Sequence, residues 1–293
     1  MKITQQENKD MAVGKVEMSC DQKIMDNKGR SVCPPLMQTS FLYLISGPSG
    51  SGKSNLLVNL LTKSGKSECG KKMKSYKGMF DHIVMVSPSA HTIQNKLMDT
   101  IPSEQRFDAL TPEVFDKVEE LTENAVEEDM HTLVVLDDVS SDLRKKEVEN
   151  ELNKLVKNRR HFNVSLIIIS HKITDYGTAL RNNANLIFIF RPKSKRENDM
   201  ICGEFMMRPA NECKMILDHI YQGKHDFMMI DQSLRKSSQF EFHRNFDRLL
   251  NKKKNVELLL TLSYESSMLT AMMFATKRRR GTTKIVITLR LTA

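Results

Sequence analysis

The chain alternates short, continuously apolar runs with longer stretches whose apolar residues recur at helical spacing. Phe41–Ile45 (FLYLI) is followed by the amphipathic Asn55–Leu61, and then by His82–Val86 (HIVMV). Helices are expected around 90–100 and 111–127, and after them come Thr132–Leu136 (TLVVL), a long charged helix from about Ser141 to Asn158, and Val164–Ile169 (VSLIII). Asn185–Phe190 (NLIFIF) reads as a fifth strand. Runs without polar alternation belong to strands covered on both faces, and helices between them favour parallel pairing. The expected fold is α/β, a mostly parallel sheet with helices on both faces. Helices near 195–221 precede two last runs, Asp226–Ile230 and Gln239–His243, which predict a hairpin at the sheet edge.

The two ends break this pattern. Residues 1–40 show no periodicity and close on Pro34-Pro35, so they read as a flexible arm; the folded domain then spans 41–250. In the remaining 251–293, Leu258–Thr276 is moderately apolar between Lys252-Lys253-Lys254 and Lys277–Arg280. Glu265 and several Ser and Thr interrupt it, which argues against a membrane span. An appended helix with a basic tail is expected, with a membrane-surface helix as the second reading. Met1–Asp21 has no apolar secretion signal, so an intracellular protein is expected.

Charge changes the picture less than its total suggests. The net +9 is concentrated in residues 251–293, where nine Lys/Arg face two Asp/Glu. The body is nearly neutral, and basicity alone says little about a nucleic-acid partner. Five cysteines, Cys20, Cys33, Cys69, Cys202 and Cys213, are scattered without metal-ligand spacing and read as free thiols.

The chemistry is concentrated at the first strand–helix junction. Gly47-Pro48-Ser49-Gly50-Ser51-Gly52-Lys53-Ser54 fits G-x-x-x-x-G-K-[ST], between the strand ending at Ser46 and the helix that follows. Glycines let successive backbone N–H groups curl around phosphates, and the helix start adds its positive end. Lys53 is then placed to reach the β and γ phosphates of ATP, and Ser54 to offer its hydroxyl to Mg²⁺. Such a loop needs an acidic partner, and Asp137-Asp138 stand at the C-terminal end of Thr132–Leu136, the edge where ligands collect in open α/β sheets. Alone, the two acids could be solvated residues at a strand end. After a phosphate loop, Asp137 reads as the metal ligand and Asp138 as the residue that polarises the attacking water.

Three further features are ambiguous. Ser170-His171 ends the strand after the acids, where a polar side chain either senses the γ-phosphate or lies in an ordinary loop. Arg159-Arg160-His161 precedes the same strand, at the edge away from its own phosphate loop. It reads either as a solvated helix end or as an arginine finger for a neighbouring subunit in a ring. Lys63, Lys66, Lys71, Lys72, Lys74 and Lys77 crowd a glycine-containing segment expected to be a mobile loop, either solvated or tracking a phosphate backbone.

Together these motifs resemble the genome-packaging ATPases of poxviruses and other large DNA viruses, within the FtsK/HerA class of DNA-pumping motors. The resemblance rests on Leu44–Ser54, Phe80–Pro88, Val135–Val139, Arg160–Ser165, Leu180–Asn185 and Asp226–Asp231, and covers about residues 36–250. It implies an ASCE/RecA-like P-loop fold, ATP and Mg²⁺ as cofactors, and double-stranded DNA as partner. It also implies a homo-oligomeric ring, capsid proteins as further partners, and residence in host cytoplasm or virion. It makes Arg160 the trans finger, with Arg159 as its competitor, and position 171 the polar strand-end residue. The family usually has glutamine where His171 stands, and many relatives have glutamate where Asp138 stands. The same loop also looks like the opening of guanylate kinase, although no arginine-rich acceptor segment or lid follows. A helicase or replication ATPase of the same class, or a non-hydrolysing nucleotide-dependent module, would carry the same loop. An ABC-type ATPase is disfavoured, since no L-S-G-G-Q-like segment precedes Leu133.

Overall fold

The computed structural model describes residues 32, 36–38, 40–62, 64–66, 72–74, 76–88, 99–123, 125, 127–232 and 241–248. Most of the arm at 1–40, residues 90–98 of the helix expected around 90–100, and the whole extension 251–293 lie outside the described residues. So do Cys20, Cys33, Cys69, Lys63 and Lys71.

The strands are β1 (Leu42–Ser46), β2 (Ser64–Lys66), β3 (Lys72–Lys74), β4 (His82–Val86), β5 (Arg106–Phe107), β6 (Thr132–Asp137), β7 (Val164–Ser170), β8 (Leu186–Phe190), β9 (Phe227–Asp231), β10 (Glu241–Arg244) and β11 (Asp247–Arg248). The α-helices are α1 (Lys53–Thr62), α2 (Pro112–Thr122), α3 (Lys146–Asn158), α4 (Thr178–Asn183), α5 (Lys195–Met200) and α6 (Ala210–Ile220), with a π-helical turn at Ile201–Met206. Nine strands form one sheet in the order β11-β10-β9-β8-β1-β7-β6-β4-β5. From β8 to β5 the pairing is parallel, whereas β8–β9, β9–β10 and β10–β11 are antiparallel. The strand bearing Asp137 is separated from the strand before the glycine loop by β7, which therefore lies beside both.

Burial explains why the strand runs carry no polar alternation. Every residue of β1, β6, β7, β8 and β9 is buried. On one face Tyr43, Ile45, Val135, Ile167, Ile169 and Phe188 pack with Leu56, Leu57, Leu60 and Leu61 of α1. Removing one such leucine side chain leaves a cavity, at a cost of about 2–5 kcal/mol. The chain leading into β1 is pinned as well. The Met37 amide donates to the Tyr43 hydroxyl at 2.7 Å, and the Tyr76 hydroxyl donates to the Met37 carbonyl at 2.6 Å.

Three expectations are corrected. The helix proposed from Ser141 is two pieces, a 3-10 turn at Asp142–Arg144 and then α3. Lys145 is extended (φ −74, ψ 124), and the Asp142 carboxylate receives the Leu110 amide and the Lys145 ammonium, so side-chain bonds compete with continuation of the helix. Part of the lysine-rich loop is an antiparallel pair, β2 with β3, in which Lys66 faces Lys72 in register. The helix expected to run to 127 ends at Thr122, whose hydroxyl folds back on the Val118 carbonyl at 2.8 Å. The edge hairpin forms as β9–β10, with β11 added outside it.

Candidate phosphate-binding and hydrolysis site

Gly47–Ser54 turns from the end of β1 into α1. A Cβ on Gly47 would lie 2.5 Å from Phe190 Cβ and 2.9 Å from Ser51 Oγ, so no larger residue fits there. Gly52 has φ +113, a conformation that L side chains rarely adopt. The Leu56 amide bonds the Gly52 carbonyl at 2.9 Å, which leaves the amides of Lys53, Ser54 and Asn55 without partners inside the helix. No acidic side chain occupies this first turn. The helix start therefore offers free donors and a positive dipole end to an anion. The Lys53 ammonium donates to the carbonyls of Gly47 at 2.8 Å and Pro48 at 3.2 Å, across the mouth of the loop. Burial lowers its pKa, against the opposing pull of Asp137 and Asp138.

These groups border a cleft of about 390 Å³, shared by Ser49, Gly50, Lys53, Ser54, Asp137, Asp138 and His171. Its volume lies within the range of small-molecule sites, roughly 300–1,000 Å³. Ser54 and Asp137 give it hard oxygen donors, the chemistry that suits Mg²⁺. The strand ends at Asp137, and at Asp138 the backbone turns left-handed, with φ 58. The turn divides the roles available to the two carboxylates. Asp137 is 5% exposed, whereas the Asp138 side chain is 51% exposed and its Oδ1 lies 3.1 Å from His171 Nε2. A left-handed residue other than glycine is strained by roughly 1–2 kcal/mol, less for Asp, and such strain gathers at functional sites.

Behind His171, the Ser170 hydroxyl donates to Asp175 Oδ2 at 2.5 Å and lies 3.0 Å from the Ser140 hydroxyl. Ser140 and Asp175 carry no motif signal in the sequence. Nor does His225, whose Nδ1 lies 2.9 Å from the Ser51 carbonyl across 174 residues of sequence. Only the fold brings it there.

The structure separates Arg159 from Arg160. Arg159 is buried and donates to the carbonyls of Ser40 (3.0 Å) and Val156 (2.7 Å). Its guanidinium closes the junction between α3 and β1, and burial, with Arg160 alongside, lowers its pKa. Arg160 is exposed at the opposite end of β7 from the cleft. Seven strand residues rising about 3.3 Å each put it roughly 20 Å from its own phosphate loop.

Burial, and next the Asp138 charge, hold the Asp137 carboxyl above its usual range, with Lys53 and His171 opposing. A carboxyl raised in the folded state adds stability only while protonated. That contribution is present at low pH and is lost as pH rises through the folded-state pKa, so ionised Asp137 destabilises the fold near neutrality. Asp137→Asn is expected to raise the ligand-free Tm at pH 7–8 by about 2–4 °C per kcal/mol relieved. It should also lose the Tm gain that Mg²⁺ and ATP confer on the wild type. Thermal scans showing a lower ligand-free Tm for the variant would contradict this.

Residues 33–270 match the family profile described as Poxvirus A32 protein. Among curated proteins, none matches the chain. Among solved structures, the DNA-packaging ATPase B204 from Sulfolobus Turreted Icosahedral Virus is 14% identical, with a TM-score of 0.49, over 71% of this chain and 98% of that one. The genome packaging NTPase B204 from Sulfolobus turreted icosahedral virus 2, in complex with ATP-gammaS, is 15% identical with a TM-score of 0.49, over 73% of this chain and all of that one (100%). The pCW3 conjugation coupling protein TcpA is 14% identical with a TM-score of 0.46, over 72% of this chain and 62% of that one.

Proposed function

The chain belongs to the Poxvirus A32 protein family and is a P-loop ATPase of the packaging-motor kind, and on that premise we propose that it translocates double-stranded DNA, packaging a viral genome into a capsid. The observation that carries the reading is the single cleft in which Lys53, Ser54, Asp137, Asp138 and His171 meet. ATP lies with its phosphates in the turn Gly47–Ser54, held by the free amides at the start of α1 and by the Lys53 ammonium. Ser54 and Asp137 would hold Mg²⁺, which would supply positive charge to offset that developing on the phosphate oxygens. Asp138 polarises the attacking water, and His171, 3.1 Å away, orients that carboxylate and senses the γ-phosphate. Arg160 serves the cleft of the next subunit in a homo-oligomeric ring. Capsid proteins are the further partners of such a motor, and host cytoplasm or virion is its location. No helix among the described residues is long and apolar enough to cross a membrane.

The test is the ATPase rate of the full chain with and without double-stranded DNA, alongside its mass with a non-hydrolysable ATP analogue. Double-stranded DNA should accelerate hydrolysis and the analogue should favour a closed oligomer. Asp138→Asn is the control. Losing a general base slows turnover by a factor on the order of a hundred or more while Mg·ATP binding stays near normal. Stimulation confined to single-stranded DNA, or phosphoryl transfer to a nucleotide acceptor, would point away from a packaging motor.

A further inference from the structure

The phosphate loop is supported from a direction that its motif does not include. Its floor is Phe190, the last residue of β8, against which Gly47 packs, and the Phe190 ring meets Phe227 of β9 at a tilt of 53°, with 5.4 Å between ring centroids. Two residues before Phe227, His225 reaches over the loop and places Nδ1 at 2.9 Å from the Ser51 carbonyl. A carbonyl oxygen can only accept, so the ring must carry its proton on Nδ1 to make this bond.

The segment that holds His225 is latched by side chains. Asp226 Oδ2 accepts from the Gly223 amide at 2.6 Å and from Arg244 at 2.9 Å, and its Oδ1 accepts from the Asn245 amide group at 3.2 Å. Asn245 Oδ1 in turn accepts from the Phe227 amide at 3.1 Å, and Arg244 also donates to Gln222 at 2.9 Å. These bonds fix an otherwise exposed turn to the β9–β10 hairpin. Arg244 belongs to β10, so the hairpin at the sheet edge is tied mechanically to the phosphate loop.

Peptide geometry shows what the bond to Ser51 does. In a trans peptide the Ser51 carbonyl and the Gly52 amide point in opposite directions. With the carbonyl drawn outward to His225, the Gly52 amide faces the cleft that Gly52 lines. Glycine tolerates either sign of φ, so Gly52 itself does not keep this peptide from turning over, which would aim an oxygen rather than a donor at a bound phosphate.

We propose that His225 is a positioning residue for nucleotide binding, which locks the Ser51–Gly52 peptide in its donor-inward orientation through Nδ1 and is itself aimed by the Asp226–Arg244–Asn245 latch. The inference rests on the phosphate-loop reading above, and not on DNA translocation or ring formation.

The test is fluorescence titration of the full chain with a methylanthraniloyl derivative of ADP. His225→Ala should weaken binding about fivefold, the loss expected for one hydrogen bond. His225→Asn places an amide nitrogen where Nδ1 stands and should restore most of the affinity, whereas His225→Gln places it where Nε2 stands and should not. Arg244→Ala should weaken binding in the wild-type background and have no further effect in His225→Ala. Wild-type affinity in His225→Ala, or equal behaviour of the Asn and Gln variants, would overturn the proposal. So would an Arg244→Ala effect that persists undiminished without His225. Failure of the wild type to bind the probe would instead remove the phosphate-loop reading, which keeps the two failures distinct.

Discussion

Arg160→Ala is expected to bind ATP with wild-type affinity and to lose hydrolysis by roughly a thousandfold or more, the scale of an arginine finger. The expectation follows from where the two arginines stand. Arg159 is committed to backbone carbonyls inside the fold, and a substitution there would be read in stability. Arg160 is exposed, at the end of β7 remote from its own cleft, so any part it takes in hydrolysis is exercised on another subunit. Mixing decides the matter. Arg160→Ala and Lys53→Ala should each be inactive alone, but a ring containing both would have interfaces that pair an intact phosphate loop with an intact finger. ATPase activity should partly return in the mixture. Mixtures shown by mass to have co-assembled, yet without recovered activity, would exclude a simple trans role.

Lys53→Ala is expected to abolish hydrolysis and to weaken nucleotide binding. The ammonium is half-buried between the Gly47 and Pro48 carbonyls, where the charge is less shielded by water than on an open surface. A phosphate entering the loop meets a cation already in position, so little reorganisation is needed as charge develops. Turnover at the wild-type rate in this variant, measured as phosphate release, would remove the phosphate-loop assignment.

Local signals made part of this site legible in the sequence. The glycine loop lies between an apolar run and an amphipathic one, and both acids stand at a strand end, so spacing alone brought Lys53, Ser54, Asp137 and Asp138 to one edge of a parallel sheet. Phe190 and His225 escaped, because they meet the loop only through strand order, after long separations in sequence that carry no periodic signal. The two arginines were indistinguishable for a related reason. Adjacent residues at a helix end differ in burial by their angle around the axis, and only the packing of Ser40 and Val156 shows which one turns inward. The helix expected from Ser141 failed where propensity was set against side-chain bonding. The charged run is helix-compatible throughout, but Asp142 binds the chain on either side of it and the helix starts only at Lys146. In the lysine-rich stretch, glycine and charge suggested a loop, whereas Ser64–Lys66 and Lys72–Lys74 pair as two strands of three residues each, too short to leave a periodic signal.

Strand β1 sits in the interior of the nine-stranded sheet, hydrogen-bonded on both sides and buried at every position. Amides placed this way exchange with solvent only when the whole domain opens, whereas the outer strand β11 can fray at little cost. The phosphate loop is thus carried by the most slowly opening part of the molecule. Local melting around β1 is therefore a poor way to convert phosphate release into movement. Opening at low cost is expected instead at the antiparallel margin, on the side of the sheet where the His225 turn precedes β9.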